Sequence, residues 1–251
     1  MSIDSPSIKY KIELDAVNKY INNSYIYDVF YRYGFIINNK FIKLDSNINV
    51  YESCFIAQLI HIYISNLNKK NKKSNSLNIL EIGFAYGTST LVLLNELIKY
   101  SGNKSYDIID PNQSSQWNNI GMKNIKQFLH FMNTHIHIKL YEKYSSDCIP
   151  TLKKLYDIIF IDGSHDYNIV IQDIINSDKK LKLYGLIILD DVLHDGVKKA
   201  IFQFLTKYKN YVRISVNNNK YIREKFIYDK KSLKRSFSNP NSMFCFFKNS
   251  I

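Results

Sequence analysis

Four residues with chemistry to offer stand at the ends of two short apolar runs. Phe160-Ile-Asp162-Gly-Ser-His165-Asp-Tyr167 closes one run, and Gly185-Leu-Ile-Ile-Leu-Asp190-Asp191 closes the other. Were the two runs neighbouring strands, about 5 Å apart, Asp162 and Asp190 would converge at one sheet edge. Asp191 joins them only if the chain leaves the extended form there, because consecutive strand residues point to opposite faces. Acids crowded into one crevice raise one another's pKa. A hard divalent cation such as Mg²⁺ relieves that repulsion by taking oxygen ligands, so Asp162, Asp190 and Asp191 are candidate metal ligands. The competing reading of Asp190-Asp191 is helix capping and loop hydrogen bonding. His165 carries an imidazole whose ordinary pKa suits it to take a proton from a hydroxyl group; the competing reading is a loop histidine that caps the next helix. His61, His130, His135 and His137 have no such context, and His194 stands just beyond the acid pair.

A second constellation lies earlier in the chain. Glu81-Ile-Gly83-Phe84-Ala85-Tyr86-Gly87-Thr-Ser89-Thr90 sits where an apolar run passes into a helical pattern. Glycines in such a turn let the backbone approach a ligand, and a helix N-terminus offers free N–H groups. The spacing is not GxGxxG, which argues against a dinucleotide fingerprint. Asp110, followed by Pro111, ends the next apolar run. An acid beside the glycine turn can accept both hydroxyls of a ribose, and its alternative is a helix cap or solvated turn acid.

The elements that would position these residues alternate regularly. Apolar runs at Leu77–Ile82, Ser105–Asp110, His135–Leu140, Tyr156–Asp162, Gly185–Asp190 and Tyr211–Val216 read as strands. Helical patterns at Thr88–Tyr100, 115–133, Tyr167–Lys180 and Val197–Tyr208 separate most of them. Near-continuous apolar strands alternating with amphipathic helices predict a buried, mostly parallel sheet. Residues 1–65, with a helical stretch at Glu52–Leu67, read as an N-terminal helical cap, and 66–76 as a polar connector. Residues 77–251 are then the main domain, interrupted at 217–242 by a basic insertion that is either a solvated loop or a substrate lid.

Composition narrows the classes. The chain has 251 residues, 45% hydrophobic, with 20 tyrosines, enough to bury one large core and too aromatic for a disordered tail. No apolar run approaches the roughly eighteen residues of a membrane span, and the N-terminal residues lack the pattern of a secretory signal. Cys54, Cys148 and Cys245 are far apart, which fits a reducing, intracellular (cytoplasmic) setting better than a disulfide framework. The net charge is +12, yet only Arg32, Arg213, Arg223 and Arg235 are arginines. Phosphate recognition favours the forked guanidinium, and a coding bias toward Ile, Asn, Lys and Tyr explains the charge at least as well as nucleic-acid binding.

Taken together, ExGxxxGxST after the first strand, acid-Pro after the second, IDGSHDY and GLIILDD resemble the class I S-adenosylmethionine-dependent methyltransferases. The last two motifs resemble the small-molecule and sugar O-methyltransferases related to macrocin O-methyltransferase, and more distantly catechol O-methyltransferase. The likeness spans roughly residues 50–215. It implies a Rossmann-like, doubly wound α/β fold with a seven-stranded, mostly parallel sheet whose last strand is antiparallel. It also implies that Gly83 and the backbone through Phe84, Ala85, Tyr86, Gly87, Ser89 and Thr90 hold the methionine part of the cofactor. Glu81 would position that loop, Asp110 and Pro111 would face the ribose, and Tyr144 with Ser145 would line the adenine. The family usually has a Gly-Asp-Ser run at that last place, of which only Ser145 carries over. Asp162, Asp190 and Asp191 match positions that hold a divalent metal in the related enzymes, and Asp162 also borders the cofactor. His165 occupies the place of the catalytic base, alongside Asp162.

The activity implied is transfer of a methyl group from S-adenosylmethionine to a hydroxyl of a sugar or other small molecule, assisted by Mg²⁺ or a similar cation. Two other readings compete. One is an RNA cap-ribose methyltransferase, favoured by charge and tyrosine content but lacking the glutamate of a Lys-Asp-Lys-Glu set in the final strand, MFCFFK. The other is a non-catalytic binding module with this fold. No membrane partner is expected; a homodimer is, by analogy with related enzymes.

Overall fold

The computed structural model describes residues 48, 50–69, 76–217, 220–224 and 243–249. The rest of the expected N-terminal cap, most of the connector and 225–242 of the basic insertion lie outside the described residues.

Strands whose two faces are both apolar can be stable only with helices on each side, and the order of elements follows. Helix α1 (Val50–Lys69) precedes β1 (Leu77–Ile82), α2 (Thr88–Leu97), β2 (Lys104–Ile109), α3 (Ile120–Phe131) and β3 (His137–Tyr141). A short α4 (Ser145–Cys148) and a 3₁₀ turn lead to β4 (Tyr156–Ile161), α5 (Tyr167–Lys180), β5 (Leu181–Leu189) and α6 (Asp195–Lys207). Then come β6 (Tyr211–Asn217), β7 (Lys220–Glu224) and β8 (Phe244–Lys248). The sheet order is β3-β2-β1-β4-β5-β8-β6-β7. Strands β1 to β5 are parallel, and β8 lies antiparallel between β5 and β6. The expected sheet is present, its last strand antiparallel, with one strand more: β7, taken from the start of the basic insertion, pairs antiparallel to β6.

Alternate residues of the central strands feed two apolar layers. Ile79, Tyr106, Ile158 and Leu186 pack on one side with α1, α2 and α3; Leu80, Ile159, Ile187 and Phe246 pack on the other with α5 and α6. Helix α1 thus shares a core with β1 and α2, through Ile56, Leu59, Ile60 and Ile64. No helix among the described residues is long and apolar enough to cross a membrane.

Two elements differ from expectation for local reasons. Helix α3 starts at Ile120 because Asn118 and Asn119 stand at φ 50° and 57°, outside the right-handed helical region. Strand β5 starts four residues early, at Leu181, passing through Tyr184 at φ 64°.

Strand register does the positioning. Ile82 pairs with Ile109 on one side and Ile161 on the other, and Ile161 pairs with Leu189. The next residue of each strand therefore falls in one row: Gly83, Asp110, Asp162 and Asp190. Strand order reverses between β1 and β4, and open α/β sheets bind ligands at the carboxyl ends of strands beside such a reversal.

Candidate active site

The glycine turn is held from below by Glu81. Its carboxylate is fully buried and accepts hydrogen bonds from Ser89 Oγ (2.5 Å), Thr90 Oγ1 and Tyr106 Oη (2.6 Å). One side chain thereby ties the end of β1 to the first turn of α2 and to β2. Burial pushes its pKa up to about 7, against the lowering effect of three hydroxyl donors and with a further push from Asp110.

Gly83 (φ 86°) lies against β4, and a β-carbon there would sit 2.0 Å from the Asp162 carbonyl oxygen. The Phe84 ring is buried against Gly87 and Gly121, so this residue offers a ligand its backbone rather than its side chain. Tyr86 meets Trp117 edge to face at 5.1 Å, and its carbonyl accepts from Asn124 Nδ2.

Asp110, nearly fully buried, turns its carboxylate onto this loop. Oδ2 accepts from the N–H groups of Phe84 (3.1 Å) and Ala85 (2.9 Å), and Oδ1 from Asn112 N–H (2.8 Å). Each carboxylate oxygen has about two acceptor sites, so Oδ1 can still accept from a ribose hydroxyl. Gln113 is buried beside it. Its Nε2 donates to the Ala85 carbonyl at 3.0 Å, while its Oε1 has no partner among the described residues. A buried unpaired acceptor is costly unless a ligand or water satisfies it.

The second half of the site is a small open cleft between the ends of β4 and β5. Ile161, Val170, Leu189 and Val197 supply apolar walls; Asp162, Ser164, His165, Asp190 and Asp191 supply polar groups. Asp162 has its pKa raised well above the ordinary range, by burial first and then by Asp190 and Asp191. Asp190 Oδ1 accepts from the Asp191 N–H at 2.7 Å. Asp191 does leave the extended form, at φ 55°, and its Oδ2 lies 2.6 Å from His165 Nε2. The cap of α5 is Asp166, which accepts from the N–H groups of Asn168 and Ile169; His165 is left to the cleft.

Comparison with known proteins finds a family over the part of the chain that carries this geometry. The family description "Methyltransferase domain" matches residues 80–192, the stretch from the end of β1 to just past Asp191. This stretch is similar to methyltransferase domains. The fold agrees with that of solved methyltransferases over nearly the whole chain. The O-methyltransferase from Bacillus cereus, in complex with S-adenosylhomocysteine, is 16% identical, covers 93% of this chain and 97% of its own, and has a TM-score of 0.55. The Podospora anserina methyltransferase PaMTH1, also bound to S-adenosylhomocysteine, is 13% identical over 100% of both chains, at 0.57. TomG from Streptomyces achromogenes, an O-methyltransferase involved in tomaymycin synthesis and solved with S-adenosylmethionine, is 12% identical over 98% of this chain and 92% of its own, at 0.51. No curated protein matches the sequence.

In this chain the expected residues gather at one sheet edge but divide their work differently. The side chains of Ser89 and Thr90 serve Glu81. Pro111 is half-buried, and Tyr144 is exposed at the start of α4. Ser145 hydrogen-bonds to Asp173, a buried acid whose pKa burial raises to about 6. Among the described residues, Asp191 also groups with His165 and His194, their ligand atoms all within 4.8 Å of one another. Gln113 and Asp173 carry no sequence signal, because no local motif marks a polar residue whose role comes from distant packing; His194 is marked in the sequence only by its place just beyond the acid pair.

Proposed function

We propose that this methyltransferase transfers a methyl group from S-adenosylmethionine to a hydroxyl oxygen of a sugar or other small molecule, with a divalent cation assisting. The observation that carries the reading is the single row formed by Gly83, Asp110, Asp162 and Asp190, with His165 above its acidic end. The presence of S-adenosylmethionine or its product in the TomG, B. cereus and PaMTH1 structures supports the choice of cofactor.

S-adenosylmethionine supplies an electrophilic methyl carbon on a sulfonium. The cradle fits it: a glycine turn with no room for a side chain, a buried acid with one acceptor position left, and the unpaired Gln113 Oε1. The backbone of Gly83–Gly87 would line the methionine part, Asp110 the ribose, and Pro111, Tyr144 and Ser145 the adenine side.

Asp162, Asp190 and Asp191 would hold a hard cation such as Mg²⁺, whose chemistry is to lower the pKa of an acceptor hydroxyl. The donor chemistry fits, because Asp162 is forced toward the neutral form by burial and then by its acidic neighbours, a cost that a cation would relieve. His165 is fixed through Nε2 by Asp191, which leaves Nδ1 to take the hydroxyl proton. The remaining catalytic effect is positioning of acceptor oxygen against methyl carbon. The buried thiols Cys148 and Cys245 accord with an intracellular, reducing setting.

Calorimetric titration with S-adenosylmethionine, with and without Mg²⁺, tests the reading when Asp110→Ala runs beside the native chain. Binding lost in the variant, followed by methylation of sugars or catechols, supports it. No binding by the native chain under either condition sinks it.

A further inference from the structure

Gly196 has no space for a side chain: a β-carbon there would fall 2.2 Å from the His165 carbonyl oxygen. That approach seats the first turn of α6 on the loop after β4 and carries His194, the residue before α6, over His165. The two imidazoles stack, with centroids 3.9 Å apart and planes 17° apart. Asp191, bent back at φ 55°, faces both: Oδ2 is 2.6 Å from His165 Nε2 and Oδ1 is 3.9 Å from His194 Nε2. Among the described residues, this trio brings its ligand atoms within 4.8 Å. The side chains of His165 and His194 are 51% and 52% exposed, so an ion can reach them and the rings can turn without disturbing the core.

Two imidazoles and a carboxylate are a different donor set from three carboxylates. Imidazole suits Zn²⁺, Ni²⁺ and other borderline cations, whereas Mg²⁺ takes oxygen. We propose that His165, Asp191 and His194 form a binding site for a borderline divalent cation such as Zn²⁺, Co²⁺ or Ni²⁺. Stacked rings keep their nitrogen lone pairs in two nearly parallel planes, so ligation turns the rings apart until both Nε2 atoms face one point beside Asp191. Three protein ligands leave a further position for water.

The consequence for activity rests on the role proposed above for His165. An imidazole bound to a metal through Nε2 keeps its proton on Nδ1 and cannot accept another there. A borderline cation would therefore withdraw the base and compete for Asp191, inhibiting methyl transfer while the glycine turn stays intact.

Binding is tested directly, without turnover. The chain is titrated with Co²⁺, followed by its visible d–d bands, and with Zn²⁺ by calorimetry, for the native protein, His194→Ala, His194→Gln and Asp162→Asn. Circular dichroism melting checks that each variant folds. The expected result is one equivalent bound by the native chain and by Asp162→Asn. Both His194 variants should be weakened by at least the ~10–100-fold that loss of an outer-shell partner costs. Absence of Co²⁺ bands in the native chain, bands that persist in folded His194 variants, or bands abolished by Asp162→Asn overturns the site. Failure to bind S-adenosylmethionine would count against the methyltransferase reading alone and leave this result standing.

Discussion

Gly83 and Asp162 are in backbone contact across the reversal of strand order. Asp162 N–H donates to the Ile82 carbonyl at 2.8 Å, and Gly83 N–H donates to that of Ile109 at 2.9 Å. The loop that would carry the cofactor and the strand end that would carry the metal are thus one rigid unit. A displacement of either moves the other, so the distance between methyl donor and acceptor oxygen is set by main-chain geometry.

Gly83→Ala tests this unit. The left-handed φ of 86° costs an L-residue about 1–2 kcal/mol, and a β-carbon 2.0 Å from the Asp162 carbonyl oxygen forces the two strand ends apart. Urea denaturation should show a loss of more than about 2 kcal/mol. S-adenosylmethionine affinity should fall at least about tenfold, since each 1.4 kcal/mol is a factor of ten. An alanine variant with native stability and affinity would disprove the contact.

Glu81 gives stability a defined pH dependence. Its pKa in the folded chain is raised from 4.5 to about 7, so the native state holds a proton that the unfolded chain releases. The contribution is fully present below about pH 4.5 and is lost as pH rises through about 7. It amounts to about 3 kcal/mol. Glu81→Gln mimics the protonated form. Chemical denaturation of both proteins across this window should show the stability difference shifting toward the glutamine variant as pH rises. A difference that stays flat would mean that Glu81 ionises freely in its burial site.

The legible parts of this molecule are those in which a local pattern and a global need coincide. LNILEI and YDIIFI are apolar on both faces because both faces are covered, and their ends point directly to Gly83 and Asp162. The motif acids could be placed at the sheet edge because register follows from such strands. Strand β7 could not be read, since KYIRE becomes a strand by pairing with β6. The association of His194 with His165 was equally hidden, because it depends on the close approach of Gly196 and the left-handed turn at Asp191, both set by packing between elements distant in the chain. The three aspartates were legible as a crowd of acids, but the contact of Asp191 with His165 was not.

His165→Ala should separate chemistry from binding. The imidazole lines the cleft at the ends of β4 and β5 and touches Asp191 and His194. Loss of a general base typically costs ~10²–10⁴-fold in rate. Turnover should fall in that range in single-turnover assays, with S-adenosylmethionine affinity unchanged by calorimetry. An equal loss in both quantities would assign His165 a structural role.

Asp162→Asn should make the protein more stable and less able to respond to Mg²⁺. Asp162 is desolvated and pressed by Asp190 and Asp191, so it either ionises or takes up a proton at a cost that an amide avoids. In a buffer free of divalent ions the variant should gain about 1 kcal/mol, read as roughly 2–4 °C in Tm for a domain of this size. Added Mg²⁺ should raise the Tm of the native chain, because a ligand that binds only the folded state stabilises it. The variant should show a smaller rise or none. A lower Tm for Asp162→Asn without metal would mean that the carboxylate is held by favourable hydrogen bonds rather than by repulsion. An equal Mg²⁺ response in both proteins would remove Asp162 from the proposed oxygen ligands.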